Sequence, residues 1–529
     1  MYPYTVFVAE KLEALGLDIL GRDAKVIYET GLAPDQLIAR LNEVAADALV
    51  VRSGTKVTRA IIEAVPSLRV VGRAGTGVDN IDLAAATERG VIVVNAPTGN
   101  SIAAAEHAIA LMTALARNIP QADAALRRGE WNRHAYTGTA LTDKTLGIVG
   151  MGRVGSEVAR RARGLGMDVL AYDPYFPPER AAALGVPLVE LETIWDKSDF
   201  ITLHAPLTDS TRHIINRQRL ARMKRGVFII NDARGELIDD VALVEALESG
   251  QVAGAALDVF VQEPPVNNPL VGRPNVIVTP HLGASTAEAQ LDVAREIAEA
   301  VLGALKGEPV ASAVNAPMIA PELLAELRPY MELAEKLARL AVQLAPHGLG
   351  SVRVTYDGKP ALPDTRPLKA AIIKGLLEPI STARINRVNA ELVARERGLR
   401  ITETKREESS GPVRDTITIE LGDGELSRFQ GTIMRDAPHI IRIQDYWIDL
   451  ELNGYILLCQ NQDRPGMIGQ VGTLLGREQV NIAFMQVGRD QPRGLAVMAI
   501  GLDDLPPDNL IAEIASMPDI TSAELIRID

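Results

Sequence analysis

One stretch, residues 145–173, restricts the possible folds more than any other: TLGIVGMGRVGSEVARRARGLGMDVLAYD. Leu146 to Val149 is a short apolar run suited to a buried parallel strand, and Gly150, Gly152 and Gly155 follow at once as G-x-G-x-x-G. The first glycine serves the tight turn, the second lets backbone approach a pyrophosphate, and the third lets the next helix pack on the strand. A helix over 154–165 would aim its free N–H groups and positive dipole end at the phosphates, which brings in Arg153 and Val154 at its start. A second strand over 168–172 leads into Asp173, placed to accept from a ribose 2'-hydroxyl and to repel a 2'-phosphate, so NAD is favoured over NADP. Among 43 glycines a bare triplet would mean little; strand, turn, helix, strand and acid in register give it meaning.

The same alternation runs on both sides. TVFVAE (5–10), KVIYE (25–29), ADALVVRS (46–53), LRVVGRAG (68–75) and VIVVNAP (91–97) precede the stretch, and FITLHAP (200–206), VFIIND (227–232), GAALDVF (254–260) and NVIVTPHL (275–282) follow it. Strands alternating with helical patterns predict two doubly wound parallel sheets. An apolar helix over 101–118, capped by Asn100 or Ser101 and stopped by Pro120, is expected to cross from the first unit to the second. A helix over 286–306, closed by Gly307, is long enough to return, which makes the first unit discontinuous. The polar segment 127–138, with Trp131 and Arg133, reads as a protruding loop suited to contact with a partner subunit.

The chain's 529 residues are too many for one core, and three or four domains are expected. A linker over 308–321 contains Pro309, Pro317 and Pro321. Beyond it, helices over 323–344 and 367–398 and then β-type alternation predict an α+β unit, in which 402–412 reads as a solvated loop. From Tyr455 the order βαββαβ predicts a ferredoxin-like unit, where Asp463 near a helix start and Asn481 at a strand start could bind the two ends of a zwitterion. The expected boundaries are 1–98 with 287–315, then 99–286, 316–452 and 453–529.

Composition narrows the function classes. A formal charge of -13 argues against nucleic acid as a partner. One cysteine, Cys459, excludes an internal disulfide and suits a reducing compartment, and its apolar surroundings mark it as a small buried hydrophobe. No charged-then-apolar leader opens the sequence and no run of 18 apolar residues occurs, so a soluble cytoplasmic protein without membrane contact is expected. No histidine or cysteine spacing suits a metal.

Strand carboxyl ends in such sheets face a crevice, and here they deliver Arg52, Arg73, Asp232, Arg234, Asp258, Glu263 and His281. Arg52 and Arg73, the latter running into Gly75-Thr76-Gly77, suit an anionic substrate. Oxidising a secondary alcohol with NAD requires hydride geometry, a base for the hydroxyl proton and a cation for the adjacent acid group. His281 could take the proton, Glu263 could orient the ring and stabilise the imidazolium, and Arg234 could hold a carboxylate or polarise the new carbonyl.

Together G-M-G-R-V-G, Asp173-Pro174, Asp232-Ala-Arg-Gly235, the ALDVF-x-x-EPP run (256–265) and PHLGAST (280–286) resemble the D-isomer-specific 2-hydroxyacid dehydrogenase family over residues 5–315. AGTGVDNID (74–82) and the two C-terminal units are similar to its long branch, which acts on 3-phosphoglycerate and carries an intervening regulatory domain and an ACT domain. The resemblance implies a Rossmann-type NAD domain inserted in a flavodoxin-like discontinuous substrate domain, an α+β intervening domain of allosteric-substrate-binding type, and a ferredoxin-like ACT domain. It implies oxidation of 3-phospho-D-glycerate to 3-phosphohydroxypyruvate with NAD, the first committed step of L-serine biosynthesis, with 2-oxoglutarate reduction as a side activity. It assigns catalysis to Arg234, Glu263 and His281. Cofactor contacts fall to Thr76, Gly150, Gly152, Arg153, Val154, Gly155, Asp173, Arg234, Asp258, His281, Leu282, Gly283 and Ala284, with Ala205, Asp232 and Ala233 contributing mainly through backbone. Asp232 stands where cysteine or threonine is usual, a change that a backbone contact tolerates. Substrate contacts fall to Arg52, Arg73, Gly75 and Asn100, with Arg133 offered across a dimer. Serine inhibition through Asp463 and Asn481 at an ACT pair and a homotetramer are also implied.

The alternatives are a glyoxylate or hydroxypyruvate reductase, another D-2-hydroxyacid dehydrogenase, and a redox-sensing binding protein without turnover. The glyoxylate and hydroxypyruvate reductases usually lack the two regulatory domains, and the intact Arg234, Glu263 and His281 disfavour the sensor.

Overall fold

The computed structural model describes residues 2–528 apart from 309, 317–320, 346–348, 363, 383, 409–410 and 423–426. Pro309 and Pro317 of the expected linker lie outside the described residues.

Strands β1 (Tyr4–Val8), β2 (Ala24–Tyr28), β3 (Ala48–Val51), β4 (Val70–Arg73) and β5 (Ile92–Asn95) form a parallel sheet in the order β2-β1-β3-β4-β5. The apolar residues of β1, β3 and β4 are buried on both faces, which helices on either side of a parallel sheet bring about. One covering helix comes from far along the chain. Val293, Ala294, Ile297 and Val301 of helix Ala287–Leu305 share a core with Val6, Val8, Val70 and Val94, and Val94 pairs with Ala313. Thr286 starts this helix by accepting from the Ala289 N–H.

The second sheet holds β6 (Thr145–Val149), β7 (Asp168–Tyr172), β8 (Phe200–Leu203), β9 (Val227–Asn231), β10 (Val252–Leu257) and β11 (Val276–Val278), parallel, in the order β11-β10-β9-β8-β6-β7. The chain leaves β6 for β7 on one side and later returns to β8 on the other. Strand order therefore reverses at β6, and the carboxyl ends there open the crevice where such folds bind ligands.

The helix expected over 101–118 forms, and a second one follows it. Ser101–Ala116 ends, Asn118 turns left-handed with φ 52°, and Ile119–Arg127 follows with Pro120 in its first turn, where a missing N–H is no loss. Asn100 makes no side-chain cap; its Oδ1 accepts from the Thr76 hydroxyl at 2.7 Å instead.

In the C-terminal part, β12 (Ser351–Asp357), β13 (Arg400–Arg406), β14 (Thr416–Leu421), β15 (Ser427–Met434), β16 (Ala437–Ile443) and β17 (Tyr446–Glu451) make a mixed sheet in the order β13-β12-β14-β15-β16-β17. Two expectations fail here. Much of the polar segment read as loop is β13, paired parallel to β12; an edge strand needs only one partner, and its charges guard the open edge. The helix expected over 367–398 stops at Leu377, where Pro379 in a 3-10 turn removes a donor, and helix resumes only at Ala390–Glu396.

The last unit has the expected order: β18 (Tyr455–Gln462), helix Met467–Arg477, β19 (Ile482–Arg489), β20 (Leu495–Leu502), helix Asp508–Ala515 and β21 (Ile520–Arg527), with sheet order β19-β20-β18-β21. Alternation along β18 splits its side chains between two cores. Leu457 and Cys459 lie with Val471 and Leu475 of the first helix, and burial pushes the Cys459 thiol up to about 12. Ile456 and Leu458 join Leu333 and Leu337 of helix Pro321–Gln343 and Phe429 of β15. The last two units therefore share one core. Among the described residues no helix is long and apolar enough to cross a membrane.

Candidate active site

The glycine elbow after β6 has the shape the sequence predicts. Gly150 is left-handed with φ 96°, and a Cβ on Gly155 would stand 2.1 Å from the Gly150 carbonyl oxygen, so helix Arg153–Gly164 can start this close to β6 only on glycine. A Cβ at Gly152 would meet nothing within 4 Å, and no side chain caps this helix start. Open space in front of uncapped N–H groups fits a diphosphate. Asp173 stands at the edge of the elbow, its Oδ2 accepting from Met151 N and its Oδ1 from Tyr175 N, both at 2.9 Å. Each carboxylate oxygen retains a lone pair for a ribose hydroxyl. The donors and shape of this cradle fit NAD.

At the carboxyl end of β10, Asp258 organises the other side of the crevice from behind. Its side chain is fully buried and accepts from Leu282 N and Gly283 N at 2.8 Å and from Thr279 Oγ1 at 2.5 Å, while His107 Nε2 lies 3.3 Å away. Burial opposes this charge, but the four donors hold the carboxyl below its ordinary range, and the same contact raises His107. The 281–284 turn is thereby fixed. His281 takes φ 56°, a conformation uncommon outside glycine, and its N–H donates to the Asp258 carbonyl at 2.9 Å. His281 Nδ1 lies 2.8 Å from Glu263 Oε2, and Glu263 Oε1 accepts from Phe260 N at 3.2 Å. Burial works against the Glu263 charge, yet the hydrogen bonds from His281 and Phe260 outweigh it and keep the carboxyl below its ordinary value. An ionised Glu263 only accepts, so Nδ1 carries the proton and Nε2 is left with a lone pair to take one. Glu263→Gln is expected to lower kcat by about 100-fold and to move the acid limb of kcat/KM to lower pH, because the imidazolium loses its counter-ion. A pH–rate profile of the variant checks this.

The turn after β9 carries Arg234. A Cβ on Gly235 would stand 2.1 Å from the Phe260 carbonyl carbon, so this turn packs directly on the loop that leads to Glu263. Asn231 holds the turn, donating from Nδ2 to the Arg234 carbonyl and accepting from Ala233 N. Across the crevice, Arg73 at the end of β4 and Arg52 just after β3 bring two more guanidiniums. Burial, then the charges of Arg234 and Arg52, push Arg73 down to about 10, with Asp79 and Glu10 opposing. Its Nε is buried without an acceptor among the described residues. Three converging cations with one unsatisfied donor fit a substrate bearing more than one anionic group.

Some expected placements change. Asp232 and Asp258 do not present carboxylates to the crevice; their side chains are 1% and 0% exposed. Asp232 points inward beside His204, with Oδ1 3.3 Å from His204 Nδ1 and no hydrogen-bond donor on either oxygen among the described residues. Arg133 sits on an exposed 3-10 turn, Arg133–Tyr136. Asp463 does not cap the following helix; its Oδ2 accepts from Arg493 N and Arg489 Nη1, which hold it below its ordinary range. Asn481 donates to Asp503, and the strand register puts Asp463 and Asn481 at opposite ends of β20, about 24 Å apart by strand rise. One ACT unit therefore does not bring them together. Sequence reasoning missed His107, Thr279, His204 and Asp79; the last stands inside the quoted AGTGVDNID block.

Known proteins share this architecture. The D-isomer specific 2-hydroxyacid dehydrogenase NAD-binding domain matches residues 109–283, the D-3-phosphoglycerate dehydrogenase intervening domain matches 326–444, and the ACT domain matches 455–519. Chloroplastic D-3-phosphoglycerate dehydrogenase 2 of Arabidopsis thaliana is 48% identical, covering 99% of this chain and 86% of its own length. The D-3-phosphoglycerate dehydrogenase of Methanocaldococcus jannaschii is 44% identical over 99% of both chains. Among solved structures, a glyoxylate reductase from Paecilomyes thermophila (33% identity, TM-score 0.55) and apo D-lactate dehydrogenase from Escherichia coli (29%, 0.52) each cover 59% of this chain and 99% of their own. Matched end to end by such relatives and carrying all three of their domains, the chain belongs to the D-3-phosphoglycerate dehydrogenases of the D-isomer-specific 2-hydroxyacid dehydrogenase family.

Proposed function

We propose that this chain oxidises 3-phospho-D-glycerate to 3-phosphohydroxypyruvate with NAD, the first committed step of L-serine synthesis. The observation that carries this reading is the His281–Glu263 dyad on the sheet edge that also bears Arg234, facing the Arg52 and Arg73 cations of the other unit. Gly150, Gly152, Arg153, Val154, Gly155, Asp173 and Ala205 would hold the adenosine and diphosphate side of NAD; Thr76, Ala233 and the 281–284 turn would hold its nicotinamide side. NAD supplies the hydride acceptor. Arg234 holds the substrate carboxylate, with Asn100 and the Gly75 backbone beside it, and Arg73 and Arg52 hold the phosphate. His281 Nε2 takes the C2 hydroxyl proton as the hydride leaves C2, and Glu263 balances the resulting imidazolium. A carbonyl forms, and one proton remains on the enzyme until solvent removes it. Steady-state rates with 3-phosphoglycerate, D-glycerate and glyoxylate test the assignment: kcat/KM is expected to be highest for the phosphorylated acid, and preference for glyoxylate reduction would favour the reductase.

The ACT unit supports feedback by L-serine. Since Asp463 and Asn481 lie at opposite ends of one unit, serine would bind between two copies, Asp463 of one facing Asn481 of the other, within a homotetramer whose catalytic pair offers Arg133 across the dimer. Trp131, 77% exposed beside Arg133, suits burial in that contact. Titrated L-serine is expected to inhibit the wild type, and Asp463→Ala to lose that inhibition while keeping uninhibited kcat. A single buried cysteine suits the reducing cytoplasm.

A further inference from the structure

We propose that Asp79 is the positioning residue for Arg234, and that the ion pair between them latches the two α/β units together across the substrate crevice. The inference rests on the catalytic assignment of Arg234 made above. Asp79 lies in the loop after β4 of the first unit and Arg234 in the turn after β9 of the second, with Arg234 Nε 2.9 Å from Asp79 Oδ2. Arg234 Nη1 donates to the Ala233 carbonyl at 2.6 Å. Two of the three guanidinium nitrogens are thus fixed, one by each unit.

The third, Nη2, lies over Gly77. A Cβ added at Gly77 would stand 1.7 Å from Nη2 and 2.8 Å from Asp79 Oδ2. Gly77 is not in the left-handed region, so room for the guanidinium, and not backbone conformation, calls for glycine there. The 75–79 loop therefore wraps the arginine of the other unit: its glycine makes the space and its aspartate holds the head group.

The pair is too exposed to be a stability device. The Asp79 side chain is 57% exposed, and such pairs add little to folding free energy. Its effect is on geometry. An arginine left free spreads over many rotamers and meets a carboxylate in the bidentate arrangement only part of the time. Held at Nε and Nη1, it presents its remaining N–H groups in one orientation, and only when the two units are close. Asp79 also sets one negative charge among Arg52, Arg73 and Arg234, which without it repel one another more strongly.

A double-mutant cycle on the full chain tests the latch. The readout is the Kd of oxamate, the smallest 2-oxo acid mimic, for the NADH complex, followed by NADH fluorescence. Asp79→Asn is expected to weaken oxamate by about 10- to 100-fold with Arg234 present, and by less than about twofold in the Arg234→Gln background, where no guanidinium remains to be positioned. The Kd of NADH itself should change by less than about twofold, since the pair is part of the acid-binding side. Gly77→Ala should weaken oxamate in the same direction by displacing Nη2. Wild-type affinity in Asp79→Asn, or an equal loss in both backgrounds, would overturn the latch. Because oxamate carries no phosphate, a cycle that behaves as expected in an enzyme inactive on 3-phosphoglycerate would uphold the latch and sink only the substrate assignment.

Discussion

Replacing His281 by alanine is expected to lower kcat by about three orders of magnitude, with little change in the Kd of NADH. General acid–base groups are worth about 10²- to 10⁴-fold, and His281 combines a free ring-nitrogen lone pair with a fixed carboxylate behind it. Its backbone makes the expectation specific. The left-handed φ at residue 281 is held by the Asp258 carbonyl and by the Leu282 and Gly283 N–H bonds to the Asp258 carboxylate, contacts that alanine keeps. The variant should therefore fold and bind cofactor while losing the proton acceptor. Rates would fall in kcat and kcat/KM together, the mark of an interaction made in the transition state.

Arg73→Ala is expected to raise KM for 3-phosphoglycerate by about two orders of magnitude, about 3 kcal/mol, while changing KM for an unphosphorylated 2-hydroxy acid by less than about fivefold. Arg73 is charged at neutral pH although burial, Arg234 and Arg52 disfavour the charge, so a bound phosphate removes a penalty as well as adding contacts. Burial and the neighbouring cations make this charge costly in the free enzyme, so it lowers stability, and a bound phosphate relieves that cost. Inorganic phosphate should accordingly raise Tm in the wild type more than in Arg73→Ala.

Much of this was legible in residue order because local rules carried it. The glycine elbow, Asp173 and the strand-end residues Arg73, Arg234 and His281 fall where they do because parallel sheets deliver their carboxyl ends to one edge. The βαββαβ order was readable for the same reason, since strand and helix periods alternate cleanly there. What escaped depends on contacts distant in sequence. Nothing local says that Arg400–Arg406 has a partner strand some 50 residues upstream, and its charges read as loop. Asp232 and Asp258 were placed at the crevice because the carboxyl ends of parallel strands face it; their carboxylates turn inward to His204 and to the 281–284 turn, which leaves Asp232 the backbone contact that the resemblance implies. Asp79 and His107 escaped because each acts through a residue more than 150 positions away. The shared core of the last two units was hidden by the two-residue period of β18, which serves helices on both faces.

The most direct measurement is a single turnover of saturating 3-phosphoglycerate and NAD on purified wild type and His281→Ala side by side, at alkaline pH, which draws off the proton that the oxidation releases. The account expects prompt formation of NADH and 3-phosphohydroxypyruvate by the wild type and a variant slower by about three orders of magnitude. A wild type that forms no NADH, or a variant that keeps pace with it, would contradict the claim that this histidine and its glutamate drive the oxidation.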